Sequence, residues 1–598
     1  MHQCRPTDAA PSTLTVQFRN RVHIWLVNTD NLVLEEVSEP SSIKYAILSH
    51  TWADDEVTFQ DFHNIERSGA RHKSGFSKIQ KTCELARQRG LHYAWVDTCC
   101  IDKSSSAELS EAINSMFSWY KESAVCFVFL SDLPASEREV EKVETTSVFP
   151  HTQKTFAACR WFTRGWTLQE LIAPSEVEFF DSQWEQFSRK ADCLDKLEEI
   201  TGIRRSVLES SSNLRQTPTA VKMSWAASRK TKRVEDRAYS LLGIFDINMP
   251  MIYGEGSEAF RRLQEEISRE TNDLSLFAWK GHPQGSVGSQ MSRGIFARSP
   301  SEFSSCSTMQ RSGTRQDSHS EFTLTNKGVR FETKLYKHTH GAFVMYLGFR
   351  MHDTPVCIIL TRTLEGFVRS EPWSLTYKPS WNLSRAPNFF AIHVQKDVSF
   401  QEDATASRQR HRSFHVNIDL QTPLKLSKLE SHPENQWDEF HSPFISGIPD
   451  KSYAVRLNFL IRDTKRNFKE DFALTLALGW ASSRQQPFAV LYGPDRLVGS
   501  DKQLTIRNVL PDNFPDLVKD DLDWGSSQEE AFEKALLSIC TNPQFQATEV
   551  DFVTRKITYE QRGDRMVTYY HATFRVELET YQDHDGIITY RASLSGKI

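Results

Sequence analysis

The sequence predicts an α/β protein. A parallel sheet flanked by helices forms the N-terminal part, a helical extension follows, and a β-rich region, sandwich-like or barrel-like, ends the chain. Three observations lead there. Between about residues 43 and 182, near-continuous apolar runs alternate with amphipathic segments, the pattern of strands buried on both faces and the helices that cover them. From about 186 to 280 helical spacing dominates. Beyond about 320 the apolar runs are β-branched and aromatic, with turn residues between them.

Each element has its own signal. "KYAILSHTW" (44–52) is an apolar strand running into polar residues. "GFSKIQKTCELARQRG" (75–90) is a helix with Phe76, Ile79, Cys83 and Ala86 on one face, and Gly90 suits its C-terminal turn. "LHYAWVDT" (91–98) is the second strand. In "SSAELSEAINSMFSWYKES" (105–123), Ser105 and Glu108 offer a capping box ahead of a Leu109, Ile113, Met116, Phe117 and Tyr120 stripe. "AVCFVFLSD" (124–132) and "SEVEFFDS" (175–182) are the third and fourth strands. In the extension, "VEDRAYSLLGIFDI" (234–247) and "SEAFRRLQEEISRE" (257–270) read as amphipathic helices, the second with Ser257 at its N-cap, joined by the turn "MPMIYGEG". The expected division is 1–185 for the α/β domain (core about 43–182), 186–280 for its helical extension, 281–320 for a Ser-, Gly- and Gln-rich linker, and 321–598 for the β-rich region. Strands are expected there at 342–351, 356–364, 453–463, 471–480, 488–493 and 566–579, with one helix at 527–540.

The totals narrow the function. The chain has 598 residues, 39% hydrophobic and 25% charged, which suits a globular protein with several cores. With 72 basic against 77 acidic residues, it lacks the basic excess that neutralises phosphates, so no nucleic-acid partner is expected. The opening "MHQCRPTDAAPS" lacks the apolar core of a signal peptide, and no apolar run reaches the roughly 20 residues of a membrane span. The 10 cysteines contain no C-x-x-C pair, so neither a metal site nor a disulfide framework is expected; a reducing compartment, cytosol or nucleus, is expected, and a cytoplasmic location is taken. There is no repeat, no heptad pattern and no phosphate loop of the G-x-x-x-x-G-K-[ST] type.

In parallel sheets ligands bind outside the carboxyl ends of the strands. Those ends here are Ser49-His50-Thr51-Trp52, Asp97 through Asp102, Ser131-Asp132 and Asp181. Between the last two lies "FTRGWTLQELIAP" (162–174), an apolar and aromatic stretch holding Arg164, Gln169 and Glu170. Charged residues go inside only when paired or used. Thr167-Leu-Gln-Glu170 fits a capping box, with Trp166 and Leu171 as the hydrophobic staple, and on that reading Glu170 merely closes a helix start.

"YAILSHTW", "YAWVDTCCIDK" and "RGWTLQELIAP", in this order and spacing, resemble the fungal heterokaryon-incompatibility (HET) domain. "AINSMFSWY" and "EDRAYSLLGIFDINMPMIYGEG" match segments that accompany those motifs, so the resemblance covers roughly residues 40–280. It implies a role in non-self recognition and programmed cell death, a form of innate immunity, when incompatible hyphae fuse, with self-association and a second incompatibility-related protein as partners. It does not extend to the C-terminal half, where relatives often carry nucleotide-binding and repeat regions that this chain lacks. HET domains are in turn similar to TIR domains, which share a flavodoxin-like sheet, and several TIR domains hydrolyse the nicotinamide–ribose bond of NAD through a glutamate. Carried over, this gives Glu170 the catalytic place, with NAD as substrate and no bound cofactor. Ser49, His50, Trp52, Asp97, Cys100, Asp102, Arg164, Trp166 and Gln169 then become ligand-binding residues. Arg164 would fork onto phosphate, Trp52 or Trp166 would stack on a ring, and Ser49, His50 and Asp97 would bond ribose or pyrophosphate.

Plainer readings stay open for each. The tryptophans suit a core, Asp97 and Asp102 suit turn or helix caps, and Arg164 suits a buried ion pair with Glu170 or Asp97. Two other mechanisms are also open. Cys99 or Cys100 with His50 would make a thiol nucleophile and base. Alternatively, the domain is a non-catalytic assembly module with the C-terminal region as its sensor.

Overall fold

The computed structural model describes residues 23–135, 156–283, 290–312, 321–338, 342–363, 366–375, 389–403, 413–432, 444–445, 453–464, 472–481, 486–492, 549–559, 565–582 and 588–597. The chain divides into two compact units. The first comprises Met1–Trp279, Phe296–Ser312 and Phe349–Asp353, and the second Lys280–Ile295, Gly313–Gly348 and Thr354–Ile598.

The first unit is built on one sheet. Its strands are β1 (Ile24–Asn28), β2 (Leu34–Val37), β3 (Tyr45–His50), β4 (Tyr93–Trp95), β5 (Val125–Phe129), β6 (Val177–Phe180) and β7 (Gln186–Arg189), in the order β2-β1-β4-β3-β5-β6-β7. The four expected strands pair in parallel: β3 with β4 and β5, and β5 with β6. They are mostly apolar because both faces are covered; Ala46, Ile47, Leu48, Trp95, Phe127 and Val128 are fully buried. After two short helices, α1 (Phe59–His63) and α2 (Ile65–Ser68), helix α3 (Phe76–Gln88) buries the expected Phe76, Ile79, Cys83 and Ala86, and Gly90 takes the left-handed turn after it, φ +71°. Helix α4 (Ser106–Glu122) is capped by Ser105, whose hydroxyl accepts from the Glu108 amide at 3.3 Å. The β1–β2 hairpin and β7 extend the parallel core with antiparallel edges that the sequence pattern did not disclose.

The extension differs from its expectation in two respects. Residues 234–247 form two short helices, Asp236–Tyr239 and Leu242–Phe245, rather than one. A left-handed Asp246, φ 59°, ends the second. The helix Glu258–Glu270 follows, with Ser257 at its N-cap position but making no side-chain cap bond. The Glu235 carboxylate shapes the "MPMIYGEG" turn instead, accepting from the amides of Gly254 (2.8 Å) and Gly256 (3.1 Å). Within the stretch read as a loop or linker, Ile295, Phe296, Phe303, Cys306 and Met309 are buried.

The second unit holds β-structure. A four-stranded sheet (Leu424–His432, Tyr453–Asp463, Phe472–Ala481, Gln486–Tyr492) and a five-stranded sheet (Phe444–Ile445, Ser413–Leu420, Ile588–Lys597, Arg565–Gln582, Glu549–Tyr559) share one core of Phe414, Leu457, Phe459, Leu476, Phe574 and Leu594, among others. That makes a sandwich. A further, mostly antiparallel sheet contains this unit's strands Glu321–Thr325, Gly328–Lys337, Thr354–Thr363, Gly366–Ser370 and Phe389–Val394. The helix expected at 527–540 lies outside the described residues. No described helix is long and apolar enough to cross a membrane.

Candidate functional site

The short helix α5 (Thr167–Ile172) carries Glu170 to the carboxyl end of β3. There Ser49 is fully buried. Its hydroxyl oxygen accepts from the Trp161 indole N–H at 2.7 Å and donates its own proton to the Glu170 carboxylate Oε2. Because the indole can only donate, the single hydroxyl proton has one destination, and Ser49 fixes one carboxylate oxygen of Glu170. Glu170 is 6% exposed. Burial, with Asp97's negative charge adding to it, pushes its carboxyl up to about 8, against the lowering effect of the Ser49 bond and of Arg229 and Arg164.

The capping box expected at Thr167–Glu170 is absent. Trp166 occupies the N-cap position in a helical conformation, φ −62° and ψ −34°, and no side chain caps the helix. Both capping side chains have been drawn elsewhere. Thr167 Oγ1 lies 2.7 Å from the Trp161 carbonyl and 2.9 Å from the Arg164 carbonyl, and it accepts from Arg229 Nη1 at 2.9 Å. Glu170 turns to Ser49. Arg229 also donates to the Arg164 carbonyl (2.8 Å) and, through Nε, to the Trp225 carbonyl (3.1 Å). Backbone pairing brings it there: Lys230 N donates to Thr163 O at 2.7 Å and Gly165 N to Lys230 O at 3.0 Å. Gly165 permits that approach, since a Cβ at this position would sit 2.5 Å from the Thr231 methyl.

A second group surrounds Asp97, just past β4. Its Oδ1 lies 3.2 Å from His50 Nε2, and its Oδ2 accepts from the Trp52 indole at 2.8 Å. Burial acts to raise the Asp97 carboxyl, but the bond and charge of His50, the Lys103 ammonium and the Trp52 bond together hold it below its ordinary value. Trp52 is 46% exposed, and Lys103 Nζ stands 3.8 Å from its ring centroid, a cation–π contact that leaves an aromatic surface open. Arg160 Nη2 donates to Thr51 Oγ1 at 3.0 Å on the adjoining residue. Buried His50 Nδ1 and Gln169 Nε2 have no hydrogen-bond partner among the described residues, an uncommon state for buried polar atoms.

Residues 45–170 match the family described as Heterokaryon incompatibility protein (HET). This segment is a HET domain. Vegetative incompatibility protein HET-E-1 of Podospora anserina is 44% identical over 234 residues, which is 39% of this chain. The chain spans only 16% of that relative's own length. Residues 258–341 match a family described as Domain of unknown function (DUF8212). No solved structure matches the chain.

Within the HET domain the sequence-predicted residues separate. Ser49, His50, Trp52 and Asp97 gather with Glu170 at the sheet edge, and Gln169 is buried beside it on α5. The others face elsewhere. Cys100 is buried, its sulfur taken up by the Val96 amide (3.4 Å) and the neighbouring Cys99. Asp102 accepts from the Ser104 amide at 2.9 Å and hydroxyl at 2.6 Å, a local turn, while Ser105 caps the helix. Trp166 bonds Asp236. Arg164 offers its backbone carbonyl to Arg229 and contributes positive charge near Glu170, without an ion pair to it. The thiol reading loses its geometry: His50 is engaged by Asp97, and burial raises the Cys99 thiol well above its usual range. No three His, Cys, Asp or Glu among the described residues are placed to hold a metal. Sequence reasoning missed Trp161, Lys190 and Arg229. Trp161 sits one residue before the stretch that drew attention, and the two cations come from later segments with no motif around them.

Proposed function

We propose that this chain is an effector of heterokaryon incompatibility whose HET domain hydrolyses NAD, with Glu170 as the key carboxylate. The observation that carries the reading is a glutamate buried at the carboxyl edge of a parallel sheet, fixed by Ser49 and unused as a helix cap. The four parallel strands, numbered by sequence, run in the order 2-1-3-4, the arrangement of flavodoxin-like sheets, and this supports the TIR-like comparison. The similarity to a vegetative incompatibility protein supports the role in incompatibility; cell death and a cytoplasmic setting are part of the proposal.

The chemistry follows from charge. Breaking the nicotinamide–ribose bond releases neutral nicotinamide and leaves an oxocarbenium-like ribose, and water then completes ADP-ribose with loss of a proton. Ionised Glu170 stabilises that developing cation and orients the ribose hydroxyls. The positive pyridinium of NAD would itself favour ionisation of Glu170 on binding. His50 Nδ1 and Gln169 Nε2 are groups for ribose oxygens, and the open face of Trp52 suits a flat ring.

The test is NAD consumption by the full chain at low and high protein concentration, beside Glu170→Gln. Turnover that the variant loses while keeping its fold supports the reading. Absence of turnover at every concentration, with self-association intact, leaves a non-catalytic assembly module.

A further inference from the structure

Helix α5 has no side-chain cap of its own, yet it carries the carboxylate that Ser49 bonds. Its N-terminal end is tied by Arg229 through Thr167 and the Arg164 carbonyl. Its C-terminal end presents unpaired carbonyls, and Pro174 prevents continuation. Lys190, the residue after β7, answers them. It is 4% exposed, and its Nζ donates to the Leu171 carbonyl at 3.3 Å and to the Pro174 carbonyl. A buried lysine needs a purpose, because desolvation opposes its charge. Burial pushes this ammonium down to about 8, against the pull of Cys126 and Glu176. Among the described residues the hydrogen bonds of the Lys190 ammonium go to these two carbonyls and to none of Ser49, His50, Trp52 or Asp97.

We propose that Lys190 is a positioning residue for Glu170: its ammonium clamps the C-terminal end of α5, and with Arg229 at the other end it sets where the carboxylate stands. Both clamps lie beyond the segment that matches the HET family, so the working site extends past it. The activity arm of the test rests on the NAD reading; a second arm does not. Hydrogen exchange of the full chain is measured by mass spectrometry for wild type, Lys190→Met and Lys190→Arg, beside NAD kinetics.

In Lys190→Met the amides of 167–173 should exchange about tenfold faster or more, while those of β3 and β5 keep their protection. The kcat for NAD should fall about 10- to 100-fold with KM little changed, since misplacing a reacting group weakens transition-state contacts. Lys190→Arg should recover much of both. If Lys190→Met does not fold, Lys190→Gln, which retains an N–H donor, replaces it. Unchanged exchange over 167–173, or a loss of protection spread evenly over the sheet, overturns the proposal. A wild type without turnover defeats the NAD reading alone, and the exchange data still decide the role of Lys190.

Discussion

Replacing Glu170 by glutamine should make the protein more stable, increasingly so as pH rises. In the folded chain the carboxyl stays protonated up to about 8, while in the unfolded chain it ionises near its ordinary 4.5. The sign follows from linkage. A group whose folded pKa is raised favours the folded state fully below the unfolded value, and that contribution is lost as pH climbs toward the folded value. Each pH unit in this window costs about 1.4 kcal/mol, so the 3.5 units between 4.5 and 8 amount to about 5 kcal/mol at most, and about 3 kcal/mol at pH 7. Glutamine fills the same space, keeps an acceptor for Ser49 and does not titrate. The stability gap between variant and wild type should therefore be small near pH 4.5 and widen steadily to pH 8.

Urea midpoints followed by tryptophan fluorescence at pH 5, 6, 7 and 8 measure that gap, because every other titration is common to both proteins. A gap that stays flat across the range would refute the reasoning. It would mean that Glu170 is already ionised in the folded state, with Arg229 and Arg164 outweighing the burial. The expected widening, accompanied by loss of NAD turnover, would identify a residue kept at the expense of stability, as functional groups often are.

Two further outcomes follow from the same geometry. Ser49→Ala removes one hydroxyl but strands two buried groups, the Trp161 N–H and a Glu170 oxygen, so unfolding free energy should drop by about 1–3 kcal/mol per group left unpaired; a thermal melt checks it. Gly243→Ala would put a Cβ 2.1 Å from Phe117 Cβ, where the Leu242–Phe245 helix crosses α4, and should cost about 1–3 kcal/mol or more by the same assay.

Much of the first unit was legible because its signal is local. Four buried strands and two amphipathic helices announce themselves by period and by apolar runs, and α3 and α4 fall within a residue or two of expectation. The β1–β2 hairpin was not announced: "LEEV" carries no apolar alternation and is held at the sheet edge by its pairing with β1 and by Glu35, which accepts from the Asn28 side-chain amide and the Tyr93 hydroxyl, each at 2.8 Å. Residues 234–247 carry a helical period, but the chain needs a corner there, and the left-handed Asp246 with the Glu235-clamped turn overrides propensity. At the site, Ser49, His50, Trp52, Asp97 and Glu170 could be found because strand ends are predictable places for polar residues. Lys190 and Arg229 could not, because each acts on backbone carbonyls, which any sequence supplies.

The same logic explains why the Thr167–Glu170 pattern misled. A capping box is a statement about two side chains that have nothing better to do. Here each has a stronger partner: Thr167 lies against two carbonyls and accepts from Arg229, and Glu170 takes the Ser49 proton. A cap is worth roughly 0.5–2 kcal/mol, and a structure that forgoes it must tie the helix down by other means. Arg229 and Lys190 do so from segments that lie after the helix in the chain. Had Glu170 been needed only to start α5, neither cation would be required, and the carboxylate would be free to stay at the helix end where solvent reaches it. The clamps make sense if the position of Glu170 matters more than the stability of the helix that bears it.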